Sequence, residues 1–508
     1  MSSFFVILKN IIMKIRIKDI LFTLVAVTLL WSCDDNDTFS TSYNSQLTFA
    51  TQTLSLDTVF SKVPSASKMF KIYNRSGDGI RISSIRQERG AAKSGFRVNV
   101  NGMYISPDEN NSINSEIEFR NGDSIRVWVE LTTPKETGEL KPQEINDRLL
   151  FTLESGRQQE VGLKAWAWDA DTLCNHFLDK DTVIDNKNGR PLIVYGPLVV
   201  QEGYTLTVNA GSQIYFHQDG QLLINGSLKV KGTAQDSVVF RCDRLDSLLQ
   251  LKYDQIPGKW QGVTLTETSS DNEIQYLDLH GAEYGILCDS TETYTTLEDM
   301  PQKLTIAHSS IQNCSGIGLQ VIASKVSVEN CLLANLRGNC LRMQGGDVSV
   351  NSTTIASFYG YTAGRQHALS MSDYTDDLKQ VLFRLRMTNS IVTGYSEDEV
   401  FWYPKDMTVD PDLIISRSYL RTPEPSDEYS KKLLQDCLYD ANSAEEYQGK
   451  GLFTYLNETG TDFRYDFTPR QGAPVIGAAD PATSASDDLH GNPRKATPDM
   501  GCIETKDE

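Results

Sequence analysis

A stretch of eight residues recurs three times in this chain at a spacing of 22, and few folds can accommodate such a repeat. Residues 326–333 align with 304–311 upstream and with 348–355 downstream. The match runs on into the turns, because Asn313, Asn335 and Ser357 share one column and Gly316, Gly338 and Gly360 share another. A unit this short cannot bury its apolar side chains alone, whereas stacked units bury them in one continuous core. Short alternating strands broken by Asn, Ser and Gly at a fixed period therefore predict the coils of a parallel β-helix. The repeat sets the architecture and leaves the reaction open.

Shorter coils of the same kind precede it, at 206–208, 214–216, 222–224, 228–230 and 238–240, punctuated by Gly211, Gly220, Gly226 and Gly232. The pattern returns at 385–392. The solenoid is thus expected over 175–508, with irregular insertions at about 361–384 and 396–467 and a C-terminal cap over exposed strand edges. Residues 46–168 have a different rhythm. Seven alternating runs, at 54–60, 68–73, 80–85, 96–100, 125–131, 149–153 and 161–168, are mostly separated by turn residues and predict an immunoglobulin-like β-sandwich. No Cys lies between residues 34 and 173, so an intersheet disulfide is excluded there. Farther on, Cys314, Cys331 and Cys340 fall in different repeat columns and read as small buried core residues.

The N-terminus predicts where the protein works. Lys14, Arg16 and Lys18 precede an apolar run that ends at Trp31, Ser32 and Cys33, so residues 1–32 read as a signal peptide, starting at Met1 or Met13. The pattern resembles a bacterial lipoprotein signal, in which Cys33 is lipidated, for example with palmitate, and becomes the new N-terminus. Acyl chains contribute about 0.8 kcal/mol per buried methylene, and several together give durable anchoring. Residues 33–45 form an acidic linker opening on Asp34, Asp35, Asn36 and Asp37, which resembles the export signal of lipoproteins displayed on the outer membrane of Bacteroidota-type bacteria. The membrane is therefore an expected partner through the lipid, and the cell surface the expected location. A formal charge of −19, with no basic stripe, excludes nucleic acid.

Three groups of residues carry a family resemblance over the whole mature chain: Asp57, Thr58, Val59 and Phe60; Gly258, Lys259, Trp260, Gln261 and Gly262; and a tail with Asp488, Gly491, Arg494, Pro498, Asp499, Met500, Gly501, Cys502 and Glu504. The chain resembles Bacteroidota-type surface lipoproteins with a right-handed parallel β-helix of pectin-lyase-like fold behind an N-terminal sandwich. The resemblance implies an all-β fold, a right-handed parallel β-helix solenoid preceded by a small β-sandwich. It implies no reaction, since most members lack an assigned activity.

The chemistry must be sought in the residues. A glycoside hydrolase of this fold needs two carboxylates about 5–10 Å apart, usually in Asn-Thr-Asp, Asp-Asp and Gly-His-Gly motifs. Asn-Thr-Asp and Gly-His-Gly are missing, and the Asp-Asp pairs at Asp34, Asp376 and Asp487 fall in linkers or loops. A lyase needs a base and a cation that neutralises a uronate. Arg365, His367, Asp373, Asp376 and Asp377 gather such groups where the repeat breaks, and calcium is the ion those hard oxygens could hold; no other cofactor or metal is expected. Glu397, Asp398, Glu399, Phe401, Trp402, Tyr403, Lys405 and Asp406 form a second cluster, in which Trp402, Tyr403, Glu397 and Asp398 are the candidates for binding substrate. Three aromatics in a row, Phe401 to Tyr403, cannot all face one side of a strand, so at least one is expected to project outward and stack on sugar. The missing motifs favour a noncatalytic surface protein that contacts polysaccharide or another surface partner. The alternatives are a polysaccharide lyase or hydrolase acting in the groove, and a structural adhesin or scaffold.

Overall fold

The computed structural model describes residues 38–106, 110–248, 251–291, 294–406, 408, 410–456 and 465–506. The signal segment, Cys33 and the acidic residues after it lie outside the described residues. Contacts divide the chain into two compact units, one holding the segments up to Leu54, Met69–Val129 and Asn146–Leu163, the other holding Ser55–Lys68, Glu130–Ile145 and everything from Lys164 on.

Each of the seven N-terminal runs lies in a strand, and the strands form sheets of five and six. Leu47–Phe49 runs antiparallel to Lys68–Asn74, and Gln143–Leu153 antiparallel to Ile80–Gln87. Burial alternates along them: Phe96, Val98 and Val100 are enclosed on one strand, and Leu149, Phe151 and Leu153 on another. A sheet with one face turned to a core requires that period. Phe49 of the first sheet meets Phe151 of the second with ring centroids 5.3 Å apart.

From Asp171 on the second unit is a parallel β-helix solenoid, and its coils have three faces. In a full coil the chain runs along face C (Lys325–Glu329), turns a corner into face B (Leu332–Ala334), then enters face A (Leu341–Gln344) before starting the next face C (Gly346–Asn351). Face C is a parallel sheet of ten strands. Faces A and B share a sheet of eighteen, because the early strand Leu192–Val200 pairs with Gln213–Phe216 on B through its first half and with Gln221–Ile224 on A through its second. The 22-residue period is one coil: Val326 lies beside Val348, Leu332 beside Thr354, and Leu319 beside Leu341. Inward side chains therefore stack in columns, Val326, Val348 and Leu385 on C and Val321, Met343 and Met371 on A.

The recurring Asn313 and Asn335 stand at the corner between B and A in the left-handed conformation, with φ of 53° and 59°, and the corner between C and B makes the same demand. His308, Asn330, Ser352 and Asn389 all adopt the left-handed conformation there, with φ between 47° and 52°, and Asn tolerates that region better than most residues do. The glycine of the Gly-Lys-Trp-Gln-Gly segment has a different reason. A Cβ on Gly262 would lie 2.1 Å from the carbonyl oxygen of Tyr284 on the neighbouring coil, so no side chain fits. Trp260 beside it is fully buried, stacks on Phe216 at 4.2 Å and donates its indole N–H to the carbonyl of His280 at 3.0 Å.

Two boundaries differ from the sequence reading. The stretch 396–467 is solenoid as far as Leu438–Tyr439, because Val400–Tyr403, Asp412–Ser416, Tyr419–Leu420 and Leu434–Gln435 each add a strand to a face. Strands of two to five residues joined by long polar corners leave no readable period. The tail, expected over the last coil, instead covers the outward side of face B. There Leu332, Ala334, Ala356, Ile391 and Tyr419 form a second core with Val475, Met500, Cys502 and Ile503. This is why the B strands are apolar on both sides, as in Leu332 and Leu333. The last coil has the short helix Glu428–Leu433, whose Leu433 packs on the main core.

Arg494 holds the tail in place. Its five N–H groups reach five acceptors: the carbonyls of Asp487, Asp499 and Gly501, the Asn330 side chain on the C–B corner, and the Glu504 carboxylate at 3.1 Å. Both charged side chains are almost completely enclosed. Removing one partner of a buried pair leaves the other uncompensated, at a cost of about 3–5 kcal/mol. Arg494→Ala is expected to loosen the tail by that amount, and Arg494→Lys to rescue little, because an ammonium cannot fill five directions. Hydrogen exchange over residues 477–505 checks this, and protection unchanged from wild type would refute it.

Candidate functional site

The two clusters singled out in the sequence meet over face A. Strands Leu341–Gln344, Leu369–Ser372 and Val400–Tyr403 lie side by side, which aligns Arg342, Ser370 and Phe401 in one outward column and Gln344, Ser372 and Tyr403 in the next. Two lengthened corners flank them. The corner before Leu369 carries Arg365, Gln366 and His367, and the one after Ser372 carries Tyr374 and Asp376. Together they enclose a cleft of about 470 Å³. A second cavity of about 610 Å³ adjoins it and shares Gln344 and Asp376.

Within the cleft His367 is held on two sides. Its Nδ1 lies 3.0 Å from the backbone carbonyl of Asp398, which can only accept, so Nδ1 carries the proton and Nε2 is the basic nitrogen of the neutral ring. Its ring stacks on Phe401 at 3.7 Å. Arg365 is turned aside: it donates to the carbonyl of Tyr359 at 2.9 Å and its guanidinium sits 4.1 Å over the ring of Tyr395.

The three loop carboxylates are separately engaged. Asp373, nearly buried, accepts the backbone N–H of Lys405 at 2.7 Å. Asp376 accepts from Arg342 and, at 2.9 Å, from Gln344. Asp377 bonds the Thr375 hydroxyl, which holds its carboxyl below the usual range. Calcium takes six to eight oxygens, and these residues do not converge on one point. Among the described residues no three His, Cys, Asp or Glu side chains gather where a metal ion could bind.

In the aromatic run the strand pleat decides the roles. Trp402 follows Met343 and Met371 in an inward column and packs on Phe383 at 4.6 Å, so it belongs to the core. Tyr403, 42% exposed, lines the cleft, and Phe401 carries the His367 ring. Glu397 is exposed and lies outside the cleft lining. Asp398 accepts from the Thr422 hydroxyl at 2.7 Å.

Several contributors escaped the sequence reading. Arg342, Gln344, Ser370 and Ser372 lie outside the eight-residue repeat, and aligning Leu341-Arg342-Met343-Gln344 with Leu369-Ser370-Met371-Ser372 would have exposed their alternation. Asn339 donates to the carbonyl of His367 at 2.8 Å. Glu399, a member of the second cluster read from the sequence, is fully buried beneath the cleft, where its two oxygens accept the amides of Ser396 and Ala368, each at 2.8 Å. A Cβ on Gly394 would come within 2.1 Å of that carboxylate, so the glycine makes room for it.

No protein-family model matches this chain, and neither does any curated protein. Among solved structures, the Vibrio cholerae VesB protease aligns over 25% of this chain and 33% of its own, at 13% identity and a TM-score of 0.16. A PapD-like domain of human CEP192 aligns over 26% of this chain and 90% of its own, at 6% identity and a TM-score of 0.17. The catalytic domain of a GH87 alpha-1,3-glucanase in complex with nigerose aligns over 69% of this chain and 82% of its own, at 8% identity and a TM-score of 0.14. Likenesses this weak carry no argument about function.

Burial raises the carboxyl of Glu399 above its ordinary value. The folded protein then binds that proton more tightly than the unfolded chain does, so the group's contribution is fully present at low pH and is lost as pH rises through the folded pKa. Measured against Glu399→Gln, wild type is expected to gain stability as pH falls from about 7 toward the unfolded carboxylate range. Denaturant midpoints at the two ends check it, and a difference that stays constant or shrinks would count against the buried carboxylate.

Proposed function

We propose that the face A cleft binds polysaccharide without cleaving it, on a protein held at the outer-membrane surface by lipid on Cys33. The observation that carries this reading is the lining. Gln366, Ser370, Tyr374 and Tyr403 offer an amide, hydroxyls and aromatic rings, with Asn339, Gln344 and Ser372 almost buried among them, on a floor of stacked strands. Such groups exchange hydrogen bonds with sugar hydroxyls, and a phenol ring stacks against sugar C–H faces. Hydrolysis would need two carboxylates about 5–10 Å apart, and Asp376 is the one carboxylate among the lining residues. Elimination would need a cation aimed at a uronate, and Arg365 is committed to Tyr359 and Tyr395.

A panel of soluble polysaccharides, tested for retention by residues 34–508 and for new reducing or unsaturated ends, tests this. Tyr403→Ala is expected to weaken retention about five- to tenfold, whereas Trp402→Ala lowers stability by about 3 kcal/mol with affinity kept in the folded fraction. Unchanged retention in Tyr403→Ala would remove the cleft from the account, and new chain ends would replace binding by catalysis. The anchor has its own test. Wild type should incorporate labelled palmitate and sediment with outer membrane, and Cys33→Ala should do neither; label persisting in the variant would refute lipidation at Cys33.

A further inference from the structure

We infer that the cleft selects neutral polysaccharide, and that Asp376 is the residue that turns acidic chains away. This rests on the polysaccharide reading above and adds the class of chain. Around the cleft and its adjoining cavity Arg342, Arg365 and Lys379 stand against Glu267, Asp376 and Asp377, so the two signs balance. In the cleft itself the cations are occupied. Arg342 points along the floor into Asp376, and Arg365 is spent on the Tyr359 carbonyl and the Tyr395 ring. An incoming uronate would find no unengaged guanidinium.

It would also meet Asp376 first, since that side chain is 69% exposed at the rim while Arg342 beneath it is 28% exposed. To reach Arg342, a uronate carboxylate must displace one that is already tethered there and braced by Gln344. The field of a chain with formal charge −19 adds to the repulsion. A neutral sugar has neither obstacle, because its hydroxyls bond the amides and serines while Asp376 and Arg342 stay paired. Asp376 is thus a specificity-determining residue that acts through the guanidinium it covers.

The experiment compares retention of arabinoxylan, galactomannan and mixed-linkage glucan with that of polygalacturonate and alginate, for wild type, Asp376→Asn and Asp376→Asn/Arg342→Gln. Wild type is expected to hold at least one neutral polymer about tenfold more tightly than either acidic one. Asp376→Asn uncovers one cation and is expected to raise polygalacturonate retention relative to that of the neutral polymer about tenfold, and the double variant to lose that gain. Acidic polymers held by wild type as tightly as neutral ones, or no gain in an Asp376→Asn protein that still binds neutral chains, would overturn the selectivity and leave glycan binding intact. Retention of no polymer by wild type would overturn both.

Discussion

Each coil of the solenoid has half of its backbone hydrogen-bonding groups directed at the coil before and half at the coil after, so every strand can be satisfied only where its neighbours lie in register. That requirement fixes what the inward positions can be. Val326 under Val348, and Met343 under Met371, must be apolar and of compatible size because each is the floor of the next. It also fixes the corners, which must turn the chain in the same number of residues on each coil or else bulge outward. Where the corners are constant the period reads as 22, and where they lengthen, the residues beyond those that reach a core, as Phe358 and Ala368 do, become walls. The cleft over face A is a direct product of two such lengthened corners in one coil, at 358–368 and 373–382.

Face B shows the same constraint from the other side. Its outward side chains Leu332, Ala334, Ile391 and Tyr419 are apolar, and a solenoid that left them in water would lose the benefit of burying them. The chain answers with its own last segment, which lays Val475, Met500 and Ile503 over them and fastens itself through Arg494. The tail residues that invite a catalytic reading by their chemistry, Asp488, Arg494, Asp499 and Glu504, are all consumed in that fastening. Asp488 accepts the amides of His490, Asn492 and Glu504, and Asp499 those of Gly477 and Thr505. A conspicuous set of charges is here a solution to burial.

Opposite economics govern face A. Its outward columns are polar apart from Phe401, Gln344 and Ser372 in them lie almost buried between the two walls, and the Glu399 carboxylate lies below the surface holding backbone amides. The chemistry lining the cleft is then amides, hydroxyls, the phenol rings of Tyr374 and Tyr403 and the His367 imidazole, with Arg342 paired to Asp376 and Arg365 turned onto Tyr359 and Tyr395. This division of labour, one flank sealed by the tail and another carrying the cleft, gives a single polypeptide both a second core and a walled polar cleft.

The sequence by itself determined the parallel coil, its 22-residue length, seven of the eleven described strands of the N-terminal sheets and the burial of cysteines such as Cys314, Cys331 and Cys340. All of these depend on local alternation and on repetition, which a chain displays in its order of residues. It also located the two segments that build the cleft, because a broken period is itself visible. Only the tertiary structure decided which side chains face it. Whether Trp402 or Tyr403 meets solvent depends on the pleat set by pairing with Leu369–Ser372, and Arg342 becomes a neighbour of Asp376 only because 34 residues close into one coil and its corner. The seat of the tail was equally hidden, since contacts such as Arg494 with Asn330 join residues 164 positions apart. Registers and distant contacts of that kind arise when the coils stack, and no local pattern encodes them.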